Sequence, residues 1–267
     1  MAGNGASTLE RLIRRDRWWI ASGLIAIVIL GWIYLLREAA AMNGMVAEAR
    51  MHAAMGMAGM ANMRMWDASD WLGLFLMWAV MMLAMMLPSA APVILLVLAV
   101  YRRRGDASAR QSAALFIAGY AFTWTMFSAV AASGQILLHR AALLGDDMRI
   151  RSAVISGVVL LVAGIYQWLP LKDRCLTQCR SPLGFLTQHW REGAIGALSM
   201  GLRHGSFCVG CCWLLMVLLF VLGVMNLFWI AALSALVLLE KVFPGGVLVG
   251  RAAGIAAAVW GTYLIFL

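Results

Sequence analysis

The stretch HGSFCVGCCW, from His204 to Trp213, sets one imidazole and three thiols, Cys208, Cys211 and Cys212, at the mouth of the apolar run LLMVLLFVLGVM. Wound into a helix, Met200, His204, Cys208, Cys211 and Met216 fall along one stripe, with Cys212 beside it. Thioether, imidazole and thiolate together make a soft donor set suited to Cu(I). Zinc would use the thiols and the imidazole but gain little from the thioethers, so it suits the pattern less well. Upstream, CLTQC places Cys175 and Cys179 at a spacing that shares one helical face, and His189 in the following segment could complete a site. The competing reading is packing: cysteine is also a small buried apolar group, and a lone histidine is often an interface residue held by hydrogen bonds.

A second set of soft donors lies in MNGMVAEARMHAAMGMAGMANMRMW, where Met51, Met55, Met57, Met60 and Met63 surround His52. Thioethers bind Cu(I) without losing a proton, and they persist in an oxidising compartment that would consume free thiols. The alternative is an Ala/Met-rich helix that uses methionine as adaptable packing. Farther along, Met77, Met81 and Met85 repeat at helical spacing and mark a possible pathway, with Met200 and Met216 at its far end. A methionine stripe of this kind is more often a buried core face than a pathway.

These donors need a scaffold, and the composition limits its class. Of 267 residues 64% are hydrophobic and 12% are charged, against about 25% charged in a soluble domain. Such a chain must use lipid as its main solvent. The net charge of +9 sits in short basic clusters between apolar runs, the pattern of membrane loops rather than of a nucleic-acid surface, and no nucleic-acid partner is expected. The five cysteines, odd in number and gathered in one region, do not form a disulfide framework. There is no CxxCH, no P-loop signature and no HExxH, so no catalytic residues are assigned.

The expected fold is all-α, a polytopic membrane helix bundle of about seven transmembrane helices with a cytoplasmic N-terminus. Residues 1–36 hold the N-terminus and first span, 37–70 a Met-rich periplasmic loop, and 71–267 the metal-binding helical bundle. Basic clusters at Arg11–Arg17, Arg102–Arg104 and Lys172–Arg180 set the orientation. Pro88 and Pro92 should kink or break the second span, and Asn226 and Pro244-Gly245-Gly246 should end the fifth and sixth. Residues 194–206 fit a helical extension, an interfacial helix or a re-entrant piece. Glu240, Lys241 and Arg251 are expected at the membrane edge with an interhelical ion pair, and Asp173 and Glu192 in solvent.

WLGLFLMWAVMMLAMMLPSAAPVILL, CLTQCRSPLGFLTQHWREG and MGLRHGSFCVGCCWLLMVLLFVLGVMNLFW followed by LEKVFPGG resemble a family of predicted metal-binding integral membrane proteins, some labelled copper chaperones. The resemblance covers the chain from Trp66 onward. It implies membrane residence and metal binding, with copper favoured. The function expected is capture and hand-on of Cu(I) in a bacterial inner membrane, with membrane lipid, the metal ion and another membrane protein or copper enzyme as partners. The alternative is a subunit of a membrane metalloenzyme or redox complex with the Cys/His cluster as its metal centre.

Overall fold

The computed structural model describes residues 3–54, 68–105, 108–145 and 148–267. In chain order the helices are α1 (Gly3–Ala54), α2 (Ala68–Arg103), α3 (Ala109–Arg140), α4 (Ala153–Tyr166), α5 (Pro170–Arg180), α6 (Pro182–His189), α7 (Gly193–Val217), α8 (Leu219–Leu222), α9 (Leu227–Val242) and α10 (Gly246–Ile265). Their boundaries follow local chemistry. Pro170 and Pro182 open α5 and α6, where a missing N–H costs nothing. Ser152 accepts from the Ile155 N–H at 3.3 Å and Asn226 from the Trp229 N–H at 3.4 Å, capping α4 and α9. The expected stops at Asn226 and at Pro244-Gly245-Gly246 are where α9 begins and ends.

Among the described residues five helices are long and apolar enough to cross a membrane, or six if the bent pair α4 and α5 forms one span. The expected seven is not matched among the described residues, for a geometric reason. The fourth and sixth runs fold into helices of only 14 and 16 residues, and at about 1.5 Å per residue neither spans the ~30 Å hydrocarbon core. The fourth run also breaks after Tyr166, and α5 leaves at 62° to α4. Residues 194–206 lie within the continuous α7, so the helical extension is the form adopted.

Pro88 and Pro92 lie inside α2 and do not end it. Neighbouring helices supply additional donors to the carbonyls just before Pro88: Tyr120 Oη donates to the Met86 carbonyl at 3.1 Å, and Ser234 Oγ to that of Met85 at 3.3 Å. Such donors are one way a bundle accommodates proline in a buried helix. The segment expected as a loop after the first span continues as helix to Ala54, with Met51 exposed. Met55, Met57, Met60 and Met63 lie outside the described residues, as does the side chain of His52.

Small residues set the closest helix contacts. A Cβ on Gly201 of α7 would strike the Phe116 carbonyl of α3, and one on Gly119 of α3 would strike the Leu198 carbonyl. Gly157 and Gly164 of α4 meet Gly261 and Gly254 of α10 in the same way. In lipid, where apolar side chains gain little by associating, close backbone approach of this kind holds helices together. The core between α2, α3 and α7 is filled by Trp78, Met81, Met82, Met85, Met86, Phe116, Tyr120 and Trp124, all buried.

Candidate metal centre

Cys208, Cys211 and Cys212 come from consecutive turns of α7 and are all buried. The Cys211 Sγ donates to the Cys208 carbonyl at 3.1 Å and the Cys212 Sγ to the same carbonyl at 2.9 Å. A fourth buried thiol, Cys179 of α5, lies near Cys208 and Cys211. Four buried thiols thus share one neighbourhood, and all five cysteines are free of disulfides. Among the described residues no three His, Cys, Asp or Glu side chains converge as a ready-made metal-ligand group. The thiols of Cys211 and Cys212 bond to backbone here, and the chemistry of the group is that of a soft-metal donor set.

Three further side chains complete this neighbourhood, none of which spacing or motif assigns to the site. Met86 of α2 places its Sδ 4.0 Å from the Cys212 Sγ. Tyr120 of α3 places its hydroxyl 3.1 Å from the Cys208 Sγ while donating to the Met86 carbonyl. Lys241 of α9 donates to the Cys208 Sγ at 2.9 Å and to Ser89 Oγ at 3.1 Å. A signal for Lys241 was present, since a charge inside an apolar run is commonly functional. Met86 was visible only as a neighbour of the Met77, Met81 and Met85 stripe.

The position of Lys241 depends on the ion pair beside it. Lys172 of α5 pairs with Glu240 Oε1 at 2.5 Å and also binds Gln167. Arg180, at the end of α5, donates to the carbonyls of Glu240 at 2.6 Å and of Phe243 and Pro244 at 3.0 Å. It thereby satisfies carbonyls at the C-terminal end of α9. The snorkelling expected of Glu240 and Lys241 is corrected: they are 1% and 6% exposed, because each has a buried polar partner. The interhelical pair uses Lys172, while Arg251 pairs with Asp173 at 3.1 Å and lies over the Trp168 ring. Glu192 is bound by Arg104 at 2.6 Å.

The other candidate ligands occupy different places. Cys175 is half-buried, with its Sγ against Gly210. The buried His204 ring packs among Phe116, Tyr120 and Phe185, and its Nδ1 is buried without a hydrogen-bond partner. His189 packs against the same Phe185 and stacks on Phe207, with its Nε2 likewise unpartnered. Burial, and then the Arg203 guanidinium, holds the His189 imidazole below its ordinary pKa. Met200 and Met216 are buried on α7, above and below the thiols, and Met77, Met81 and Met85 are buried along α2.

No curated protein and no solved structure was found to match the chain. A family model does: the one named PpoB2 and described as copper chaperone aligns with residues 75–264, from within α2 through α10. That stretch takes in every thiol of the cluster together with Met86, Tyr120 and Lys241, and the chain belongs to this copper chaperone family.

Proposed function

We propose that the protein captures Cu(I) in a bacterial inner membrane and hands it to another membrane protein or a copper enzyme. The observation that carries this reading is the buried thiol neighbourhood of Cys179, Cys208, Cys211 and Cys212, with the Met86 thioether 4.0 Å from the Cys212 Sγ, in a chain of the copper chaperone family. Thiolates and a thioether shielded from water hold Cu(I) more readily than harder metals. Methionines in the 37–70 segment, among them Met51, Met55, Met57, Met60 and Met63 with His52, make the first capture. Met77, Met81 and Met85 then line the way inward. The Cys175 thiol and the unpartnered imidazoles of His189 and His204 are transfer ligands around the cluster. The N-terminus and the basic clusters face the cytoplasm, where the thiols stay reduced.

The test is copper content of the purified chain under a competing Cu(I) chelator. Cys208→Ser and Cys211→Ser keep side-chain size but replace a soft donor with a hard one. Each is expected to lose bound Cu(I) while the helical circular dichroism stays intact. Full copper retention in the double variant would return the cluster to simple packing.

A further inference from the structure

We infer that Cys208, Cys212 and Met86 form a three-sulphur site for a monovalent soft cation, with Lys241 as its built-in counter-charge against divalent metals. This rests on the copper-handling reading and adds to it a ligand set, a metal charge and a specificity-determining residue.

The ligand set follows from which sulphurs approach across helices. Cys208 and Cys212 lie one turn apart on α7, and the Cys212 Sγ donates to the Cys208 carbonyl at 2.9 Å. Met86 reaches Cys212 from α2, its Sδ 4.0 Å from the thiol. Tyr120 braces both sides, touching the Cys208 Sγ and the Met86 carbonyl. Two thiols and one thioether, each from a buried residue, offer three soft donors and no hard one.

The charge follows from the cations nearby. Glu240 is neutralised by Lys172. Lys241, though buried, has no carboxylate partner among the described residues, and its contacts are Ser89 Oγ and Cys208 Sγ. A buried ammonium is costly unless an anion accompanies it. When a monovalent metal binds, each S–H bond gives way to an S–metal bond and its proton leaves to solvent. Two thiolates around a monovalent cation then carry one net negative charge, which the ammonium balances. A divalent metal on the same three sulphurs would be neutral and would leave Lys241 unbalanced in a low-dielectric interior. Lys241 therefore acts through Cys208 as a positioning residue and discriminates by charge.

The experiment uses the full chain in detergent, with Cu(I) and Ag(I) titrated against a chromogenic chelator and Zn(II) against a fluorescent one. Lys241→Met is expected to weaken Cu(I) and Ag(I) about 10- to 100-fold, the range for a lost partner of a metal ligand, while Zn(II) binding holds or tightens. Lys241→Arg should recover most of the monovalent affinity. Met86→Leu should weaken Cu(I) and Ag(I) and leave Zn(II) unchanged, and it decides the ligand set even if Lys241→Met fails to fold. Equal weakening of Cu(I) and Zn(II) in Lys241→Met, as expected of a merely structural role, would overturn the inference. So would unchanged Cu(I) binding in both Lys241→Met and Met86→Leu. A wild-type chain whose Cu(I) affinity is indifferent to Cys208→Ser marks failure of the copper-handling reading itself, and the inference falls with it.

Discussion

Lys172 Nζ and Glu240 Oε1 stand 2.5 Å apart with 2% and 1% of their side chains exposed, joining α5 to α9 through a charge pair sealed from solvent. Removing one partner strands the other in a medium that cannot solvate it. Lys172→Met is therefore expected to destabilise the fold by about 3–5 kcal/mol, read as a lower midpoint of thermal unfolding in detergent. Pairing it with Glu240→Leu removes both charges and should recover most of the loss. A Lys172→Met protein as stable as the wild type would mean the pair contributes nothing to joining the two helices.

Tyr120 ties the thiol cluster to the proline-containing part of α2 through one hydroxyl. Tyr120→Phe keeps the ring that packs against His204 and deletes only the oxygen. The expected cost is about 1 kcal/mol for a lost buried hydrogen bond. A faster reaction of Cys208 with a small maleimide should accompany it. Unaltered labelling kinetics would mean that the hydroxyl does not shield this sulphur.

For the methionine-rich segment, leucine is the informative replacement, because it keeps bulk and helix propensity and removes the thioether. Changing Met51, Met55, Met57, Met60 and Met63 together should slow copper acquisition by cells at limiting copper, with protein level unchanged. Normal acquisition would leave these methionines a packing role only.

Orientation is open to a direct measurement. A reporter fused after Arg104 should read cytoplasmic if the basic clusters follow the positive-inside tendency. A periplasmic signal would invert the map and place the thiols near the oxidising side.

Much of the helix pattern was legible because its signals are local. The cap at Asn226, the stop at Pro244-Gly245-Gly246 and the proline-opened α5 and α6 each depend on residues within a turn of the boundary. Span number was less legible, since hydropathy over residues 152–171 cannot register that the chain turns by 62° after Tyr166. In the candidate site, helical spacing put Cys175 and Cys179 on one face, yet Cys179 is buried near the thiol cluster while Cys175 is half-buried and rests on Gly210. His204 shares the cysteine stripe but is surrounded by Phe116, Tyr120 and Phe185, which come from two other helices. Lys241 and Met86 meet the thiols across long sequence separations, and such tertiary contacts leave no periodic trace.

The backbone contact between Gly201 and Phe116 bears on how a bound ion could leave. With no side chain to act as a cushion, α7 has little freedom to roll or slide against α3, and Cys208, Cys211 and Cys212 ride on that stiff rail. Cys179 is carried differently, on an 11-residue helix that hangs from a bend and is fastened to α9 by Lys172 and Arg180. One cluster is thus held in two ways, three sulphurs on a jaw set by backbone contact and one on a jaw set by side-chain bonds.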